Sequence, residues 1–306
     1  MSDDVILHPT KCAICGTTEG ATELYPSNFE LEAFNPRVFS ARRLPDRIHY
    51  RMVKCDACGL VRSDPVVDWE TLARLYASST FDYGTEVEGL KRTYGGYLSK
   101  LDPLVDSKDS LLEIGCGNGF FLEEALARGY RTVRGVEPSA QAVSKADANV
   151  RDSIVCEMMR PGVFPAATFD VVCLFQVFDH ISDPGPLLDE CLNVLKPGGL
   201  ALILNHNIES FSARILGERS PIIDIEHTYL YSPRTLSQLA KAHGFQIEKT
   251  GAVWNHYRLR YLFRLVPFSP ATKARLLAAL ENSSIGRIPM LVPLGNLYVA
   301  ARKPRR

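Results

Sequence analysis

The chain has 306 residues, and its 35 lysine and arginine residues balance its 35 aspartate and glutamate residues. Zero formal net charge argues against a general nucleic-acid binder, because such proteins usually carry a basic excess. No run of about 20 apolar residues could span a membrane, and the opening MSDDVILHPTK lacks the pattern of a signal peptide. We therefore expect a cytoplasmic protein with an α/β core and a small second unit.

Two C-x-x-C-G turns occur in the N-terminal part of the sequence. Four cysteines in two such turns can present their thiolates to one ion in a tetrahedron. The pattern predicts a zinc ribbon whose ligands are Cys12, Cys15, Cys55 and Cys58. All four positions of the Zn²⁺ would be filled, so the metal would be structural. The remaining cysteines are expected to be small buried apolar residues: Cys116, Cys156, Cys173 and Cys191.

A basic stretch lies between the cysteine pairs, with Arg37, Arg42, Arg43, Arg47, Arg51 and Lys54. It fits either a solvated face of the ribbon or a phosphate-binding surface. The near balance of charges over residues 1–66 favours the solvated face. Residues 67–109 are predicted to be mainly helical and to join the ribbon to the core.

A glycine-rich turn is predicted after the first strand of the core. Apolar residues precede Gly115, Gly117 and Gly119, and a helix is expected from Phe120. The next strand ends at Glu137. In a strand–helix–strand unit, an acid at this place accepts hydrogen bonds from ribose hydroxyls. The loop and the acid together predict a nucleoside ligand.

The glycine spacing distinguishes between nucleosides. A dinucleotide fingerprint needs glycine at position 120, which holds Phe120. The observed E-x-G-x-G-x-G pattern, starting at Glu113, resembles motif I of class I S-adenosylmethionine-dependent methyltransferases. Residues 169–178 and 195–204 resemble the fourth strand of that family and the turn into its fifth strand, so the resemblance covers 110–205.

The resemblance implies the fold: a doubly wound, seven-stranded, mostly parallel Rossmann-like sheet, preceded here by the small four-cysteine zinc ribbon. Strands are expected near 110–114, 131–136, 153–156, 170–176, 199–205, 245–251 and, antiparallel, 296–302. The expected domains are a zinc ribbon at 1–66, a helical linker and cofactor cap at 67–109, and a core at 110–306 with insertions near 206–231 and 254–295.

The resemblance also implies where S-adenosylmethionine binds. The glycine loop packs against its methionine part, and the acid after the second strand binds its ribose. Glu157 and Met158 would face the adenine, Gln176 would lie near the methionine, and Tyr76 or Tyr83 could cover the pocket. The implied cofactor residues are Glu113, Gly115, Gly117, Gly119, Glu137, Glu157, Met158 and Gln176.

Methyl transfer to an oxygen requires an aligned acceptor and a base that removes its proton. Glu226 and His227 follow the fifth strand, so His227 is the first candidate for the base and Glu226 for orienting it. His180, next to Asp179, is a second candidate. His227 could instead pack the insertion against the sheet.

The cysteine pairs and the Glu226–His227 pair resemble nucleotide-sugar methyltransferases of polysaccharide and antibiotic-sugar pathways. The C-methylating branch has a Y-x-E-H stretch and a further domain after the core. Here Asp224 replaces the tyrosine and no such domain follows, so a hydroxyl acceptor is expected. Arg258, Arg260 and Arg264 could form a cationic rim for a phosphorylated or nucleotide-linked sugar.

Three alternatives remain open. The first is a zinc-ribbon RNA base methyltransferase, against which the zero net charge counts. The second is a sugar C-methyltransferase. The third is a non-catalytic assembly protein that binds the cofactor, which the intact glycines and Glu137 disfavour.

Overall fold

The computed structural model describes residues 6–29, 48–68, 71, 87–265, 269–281 and 283–305. Several features predicted from the sequence lie outside these ranges. They are Tyr76 and Tyr83, residues 69–70 and 72–86 of the mainly helical segment predicted at 67–109, and the basic residues Arg37, Arg42, Arg43 and Arg47.

The described N-terminal residues form short strands around the two cysteine turns. The strands are β1 (Leu7–His8), β2 (Ala21–Tyr25), β3 (Met52–Cys55), β4 (Val61–Ser63) and β5 (Val66–Val67). Strands β2, β3 and β4 are antiparallel neighbours, and β1 pairs with β5. The cysteine turn at residues 55–58 directly joins β3 to β4.

Strands and helices alternate through the next part of the chain. They are α1 (Val87–Ser99), β6 (Ser110–Ile114), α2 (Phe120–Ala127), β7 (Thr132–Val136), α3 (Ala140–Ser144), α4 (Ala148–Arg151), β8 (Ile154–Val155), β9 (Phe169–Phe175), α5 (Pro184–Val194) and β10 (Leu195–His206). Such alternation produces a parallel sheet with helices on both faces.

The chain after β10 carries two insertions and the last strands. Its elements are α6 (Phe211–Leu216), β11 (Tyr229–Leu230), α7 (Pro233–Ala242), β12 (Gln246–Ala252), β13 (Asn255–Arg258), α8 (Leu259–Leu265), α9 (Pro270–Glu281), β14 (Pro289–Val292) and β15 (Asn296–Arg302). Helix α7 is capped at its start, because the Ser232 hydroxyl accepts from the Thr235 N–H and Pro233 occupies the first turn.

The central sheet has seven strands in the order β12-β15-β10-β9-β6-β7-β8. Strand β15 runs antiparallel to β10 and β12, and the other pairs are parallel. One face packs against α5, α7 and buried cysteines of the N-terminal unit, and the other packs against α1 and α2. The predicted seven-stranded Rossmann-like fold is confirmed.

Two local predictions need correction. Strand β10 starts at Leu195 rather than near 199, because the backbone continues through Gly198 as an irregular strand with a register shift before Leu200. Cys156 is exposed rather than buried, since it follows β8 at the edge of the sheet. Among the described residues, no helix has the length and apolar character needed to cross a bilayer.

Strand β11 physically connects the core to the N-terminal unit. It lies in the insertion after β10 and pairs antiparallel with β4, with Tyr229 opposite Arg62. The Ser63 N–H donates to the Thr228 carbonyl at 2.9 Å, and the Ser63 hydroxyl donates to the His227 carbonyl at 2.8 Å. The N-terminal sheet therefore holds the segment that carries His227.

Candidate active site

A cavity of about 1100 Å³ opens at the carboxyl ends of the parallel strands. Gly115, Glu137, Gln176 and His206 line it, and they stand at the ends of β6, β7, β9 and β10. The carboxyl edge is where ligands bind in open α/β sheets. Residues of both insertions complete the wall of the cavity.

The glycine loop has a backbone that only glycine adopts without strain. Gly115, Gly117 and Gly119 have φ angles of 72°, 56° and 74°. A Cβ atom on Gly115 would lie 2.3 Å from Cγ2 of Val177. The bare backbone at this position therefore lets β6 pass close to the segment after β9, and it leaves Gly115 in the cavity wall.

Glu137 is locked by two backbone groups. Its Oε2 accepts from the Gly117 N–H at 2.9 Å, and its Oε1 accepts from the Ser139 N–H at 2.9 Å. Burial raises the pKa of Glu137, and these two N–H groups counteract that rise. Each carboxylate oxygen keeps a second acceptor site, so the residue can still bind two hydroxyls.

Glu113 supplies a buried polar atom at the same end of the cavity. Within the described part of the chain, its Oε2 has no hydrogen-bond partner. Burial and the neighbouring Glu137 raise the pKa of Glu113 well above its usual range. A buried polar group without a partner is costly in a folded protein. A polar ligand group at this end of the cavity would relieve that cost.

Asp179 lies in a short 3₁₀ helix at Phe178–His180, behind the lining residues His180, His206 and His227 at the other end of the cavity. Its side chain is fully buried. Its carbonyl accepts from the Thr228 N–H at 2.9 Å. With the Asn205 amide turned so that its oxygen faces Asp179, the Asp179 N–H donates to that oxygen at 2.8 Å. These bonds fix the backbone of Asp179 from β10 and from the segment after it.

Three histidines surround this carboxylate. His206 Nδ1 lies 2.5 Å from Asp179 Oδ2, His227 Nε2 lies 3.9 Å from the same oxygen, and His180 Nε2 lies 3.7 Å from Oδ1. The His227 ring is 4.8 Å from the His180 ring and 4.5 Å from the His206 ring, between centroids. All three imidazoles line the cavity.

Backbone carbonyls fix the tautomers of two of these rings. His227 Nδ1 donates to the Ile222 carbonyl at 2.9 Å, and His180 Nδ1 donates to the Glu226 carbonyl at 3.0 Å. Burial lowers the pKa of His180, and it lowers that of His227 to about 3 with the help of His206. Both rings are therefore neutral near pH 7.

The pKa of Asp179 is shifted so that its side chain stays charged, unlike those of His180 and His227. Burial alone would raise its pKa, but the imidazoles of His180 and His206 hold the pKa of Asp179 well below its usual range. One buried carboxylate behind the cavity wall thus stays charged. A buried charge must be hydrogen-bonded or paired, and the His206 Nδ1 supplies a hydrogen bond to it.

A family model described as "Methyltransferase domain" matches residues 87–250, which is more than half of the chain. The chain belongs to this methyltransferase family. The matched residues include the glycine loop, Glu137 and all three histidines around Asp179.

The methyltransferase also has curated relatives. It is 35% identical over 113 residues to "Ubiquinone biosynthesis O-methyltransferase" of Bradyrhizobium sp., a match that covers 35% of this chain and 44% of the relative. A protein of the same name from Thiobacillus denitrificans is 29% identical over 167 residues, which cover 50% of this chain and 71% of that protein. The chain thus spans about half the length of the first of these relatives.

Among solved structures, a "SAM dependent methyltransferase" from Archaeoglobus fulgidus is similar with a TM-score of 0.47 and 19% identity. The similarity covers 77% of this chain and all of that chain.

Of the predicted cofactor residues of the methyltransferase, some line the cavity and others do not. Glu113, Gly115, Glu137, Met158 and Gln176 line the cavity. Gln176 has a φ of 57°, unusual for a residue other than glycine, and its Oε1 has no hydrogen-bond partner in the described part of the chain. Backbone conformations of this kind cluster at ligand sites.

Three predicted cofactor residues are not in the cavity wall. Gly117 and Gly119 shape the loop behind it, and Gly117 reaches the site only through its bond to Glu137. The Glu157 carboxylate pairs instead with Arg160, at 2.8 Å.

The predicted catalytic residues Glu226, His227 and His180 all line the cavity. The sequence reasoning missed His206, although its position at the end of β10 was a usable signal.

The four cysteines of the two N-terminal turns come together. Their Sγ atoms all lie within 4.8 Å of one another, and two of the separations are 3.4 Å (Cys12 to Cys58) and 4.0 Å (Cys15 to Cys55). A tetrahedral Zn²⁺ with bonds of about 2.3 Å requires S···S separations of about 3.8 Å. The arrangement therefore fits such an ion.

The two cysteine turns have matching backbones. Gly16 N–H donates to the Cys12 carbonyl and Gly59 N–H donates to the Cys55 carbonyl, both at 2.8 Å. Gly16 and Gly59 have φ angles of 72° and 79°. Burial acts to raise the pKa of the Cys55 thiol, but N–H groups of Cys58 and Ala57 lower it to about 7. Such N–H groups favour the thiolate that a metal needs.

Proposed function

We propose that this protein transfers a methyl group from S-adenosylmethionine to a hydroxyl oxygen of a small metabolite. The observation that carries the proposal is the single cavity that joins the glycine loop and Glu137 to the Asp179 histidine cluster. When bound, S-adenosylmethionine supplies a methyl group on a positively charged sulfur. The chain must then hold the donor, place the acceptor oxygen and remove its proton.

The donor would lie along the ends of β6 and β7. Glu137 would accept hydrogen bonds from the ribose hydroxyls, since Gly117 and Ser139 already hold it in position. Glu113, Gly115 and Gln176 would face the methionine part, and Met158 the adenine. Gly117 and Gly119 would preserve the shape of the loop. A direct role of Glu157 would require it to leave Arg160.

The acceptor would lie between the donor and the histidine cluster. An imidazole with a neutral ring nitrogen is suited to take a hydroxyl proton near pH 7. From the sequence, His227 or His180 would be this base, with Glu226 orienting it. The curated relatives are themselves named O-methyltransferases, which supports oxygen as the methylated atom.

The charges of the cavity wall bear on the acceptor. Apart from the histidines and tyrosines, the ionisable residues that line it are one arginine, Arg160, and six carboxyl residues, namely Glu113, Glu137, Asp183, Glu190, Asp224 and Glu226. These counts refer to the described part of the chain. Ionised carboxylates repel a phosphate. Even without Glu113, whose pKa is raised well above its usual range, the lining favours an uncharged phenol or sugar over a phosphorylated or nucleotide-linked sugar.

The predicted cationic rim would have to act from outside this wall. Arg258 and Arg260 adjoin the lining residues Tyr257 and Tyr261 in sequence. By contrast, Arg302 and Arg305 bond to Glu248 and Asp106, and Arg302 pairs with Leu200 at the amino-terminal edge of β10. This part of the basic C-terminal region faces away from the cavity.

Cys12, Cys15, Cys55 and Cys58 would hold a structural Zn²⁺. The sulfur separations support this assignment, and four sulfur ligands leave no open position for a substrate. The ion would fix the turn that leads from β3 into β4, and through β4 the segment around His227.

The test is a transfer assay with donor labelled in its methyl group. The acceptors are catechol, glucose, dTDP-glucose and a short RNA, and donor affinity is measured by calorimetry. We expect label on catechol or glucose, attached to oxygen by NMR of the product. Label on RNA would support the RNA methyltransferase, and label on a sugar carbon the C-methyltransferase. Tight donor binding without transfer to any acceptor would support a non-catalytic protein.

A further inference from the structure

His206 differs from the other two histidines of the cluster in what its ring nitrogens contact. Its Nδ1 is 2.5 Å from the buried Asp179 carboxylate, so this nitrogen carries a proton and donates it. Within the described part of the chain, its Nε2 makes no hydrogen bond, and the ring lines the cavity. With 24% of its side chain exposed, it is the most open of the three.

His227 and His180 are held in another way. Each donates its Nδ1 proton to a backbone carbonyl, and each Nε2 faces the Asp179 carboxylate at 3.9 or 3.7 Å, beyond hydrogen-bond distance. Their unprotonated nitrogens thus point toward a negative charge rather than toward the substrate that would receive the methyl group. Only 7% of the His227 side chain is exposed.

A metal ion is the competing explanation, because ligand atoms of Asp179, His206 and His227 lie within 4.8 Å of one another. One ion bound at about 2.1 Å by each ligand needs separations of about 3.0 to 3.4 Å. The observed 2.5 Å and 3.9 Å fall on either side of that range. In the cysteine cluster, by contrast, the separations of 3.4 and 4.0 Å lie closer to the separation of about 3.8 Å that a zinc ion would require.

We propose that the Asp179–His206 pair is the general base of the methyl transfer, with His206 Nε2 as the atom that takes the proton. The inference rests on the proposed function. The acceptor O–H proton moves to Nε2, the oxygen forms a bond to the methyl carbon, and the electron pair of the broken C–S bond stays on sulfur. Asp179 balances the imidazolium and holds the ring in its tautomer, as a buried carboxylate does in hydrolase triads. His206 later returns the proton to solvent.

The kinetic test compares His206→Gln with His243→Gln. His243 is a matched control, because its Nδ1 also pairs with an aspartate, Asp189, at 2.6 Å, but away from the cavity. On the acceptor labelled in the screen, H206Q should lower kcat about 10²–10⁴-fold with unchanged affinity for S-adenosylhomocysteine, and H243Q should match the wild type.

Two further measurements do not need a methyl acceptor. In NMR spectra of the complex with S-adenosylhomocysteine, a strongly deshielded imidazole proton should be present, and it should be lost in both H206Q and Asp179→Asn. Elemental analysis of the wild type should find one metal, and Cys58→Ser should lose it, as expected if the cysteines and not the histidines bind the metal.

Three results would overturn the assignment: a larger loss of kcat in His227→Gln than in H206Q, a deshielded proton that survives in H206Q, or a second metal that H206Q releases. If the wild type labels no acceptor, the proposed function fails, while the NMR arm still decides the pairing.

Discussion

The two ends of the cavity are built in different ways. The glycine-loop end comes from one continuous strand–helix–strand unit, and its contacts are mainly backbone groups such as the Gly117 N–H on Glu137. The histidine end combines side chains from the 3₁₀ helix after β9, from β10 and from the segment after β10, and that segment is held by β4 of the N-terminal unit. The glycine-loop end, which we propose as the donor end, is thus set by local sequence. The histidine end, which we propose as the acceptor end, is set by long-range packing.

The two ends of one cavity can therefore be held in place by different parts of the molecule. The glycine loop needs only the sheet and its own φ angles. The histidine cluster also needs the cysteine unit, because Ser63 bonds to the carbonyl of His227 and the Tyr229 hydroxyl bonds to the Lys11 carbonyl. Perturbations of the N-terminal unit should therefore reach the acceptor end and spare the donor end.

Loss of the cysteine cluster should have the largest effect. In Cys58→Ser, we expect the free energy of unfolding to fall by more than about 4 kcal/mol, because structural Zn²⁺ contributes about 10–16 kcal/mol of binding in zinc-finger peptides. Denaturant unfolding measures this change. Cys156→Ser is the control, since Cys156 is exposed and lies outside the cluster. When a chelator partly removes the metal from the wild type, kcat should fall before the affinity for the donor does. A parallel fall of both would mean that the two ends of the cavity depend equally on the cysteine cluster.

Replacing Glu137 should affect the donor end alone. Glu137→Gln removes a charged acceptor of hydrogen bonds, and such bonds contribute about 1.5–3 kcal/mol. We expect donor affinity to fall about 10- to 100-fold by calorimetry, with little change in the NMR signals of the histidines. Glu248→Gln is the control, because Glu248 bonds to Arg302 at the opposite edge of the sheet. Unchanged donor affinity in Glu137→Gln would remove this residue from the site.

The histidine end should make stability depend on pH. As the pH falls below about 6.5, the unfolded chain takes up a proton at His227, whereas the folded protein does so only near pH 3. The unfolded state binds more protons in this window, so the free energy of unfolding should fall with pH by about 1.4 kcal/mol per unit for this residue.

Urea unfolding between pH 7 and 5 tests that slope. His227→Gln should reduce the slope of the free energy of unfolding against pH by the amount that corresponds to one proton. The remaining slope should include the contribution of His180, whose pKa is lowered in the same direction. Equal slopes in wild type and His227→Gln would mean that His227 is charged in the folded protein.

The smallest effect is expected from the contact between the two units. Ser63→Ala removes the hydrogen bond to the His227 carbonyl and should cost about 1 kcal/mol of stability. The resulting freedom of the His227 segment should lower kcat severalfold and leave donor affinity intact. Ser144→Ala, which removes an exposed hydroxyl bond to the Gln141 carbonyl, is the matched control. Stability loss without any kcat loss would show that β4 does not position the segment.

Most residues predicted for the glycine-loop end line the cavity, whereas the histidine end was predicted in part. The approximate positions of the seven strands followed from the family resemblance. Gly115 and Glu137 followed from a local motif, since a strand, a turn and a helix leave signals within a few residues of each other. Asp179 follows β9 and His206 ends β10, and only the pairing of these two strands brings them to one edge. No local pattern encodes that contact, which is why His206 was missed.

Glu157 is a different case, because the contact is local. Its position after the third strand predicted an adenine contact, but its carboxylate pairs with Arg160, three residues along the chain. The four cysteines could be grouped because each pair forms its own turn. Their link to His227 through β11 could not be predicted, because the pairing of a two-residue strand has almost no sequence signature.

The pairing of β11 with β4 also bears on how the chain emerges from the ribosome. The N-terminal sheet is synthesised first, yet its edge at β4 stays open until Tyr229 and Leu230 arrive. An open strand edge is a template for wrong pairing, and domains usually fold as units during synthesis. The earliest unit of this protein is therefore completed late, and translation up to residue 230 is a period in which the nascent chain is exposed to aggregation.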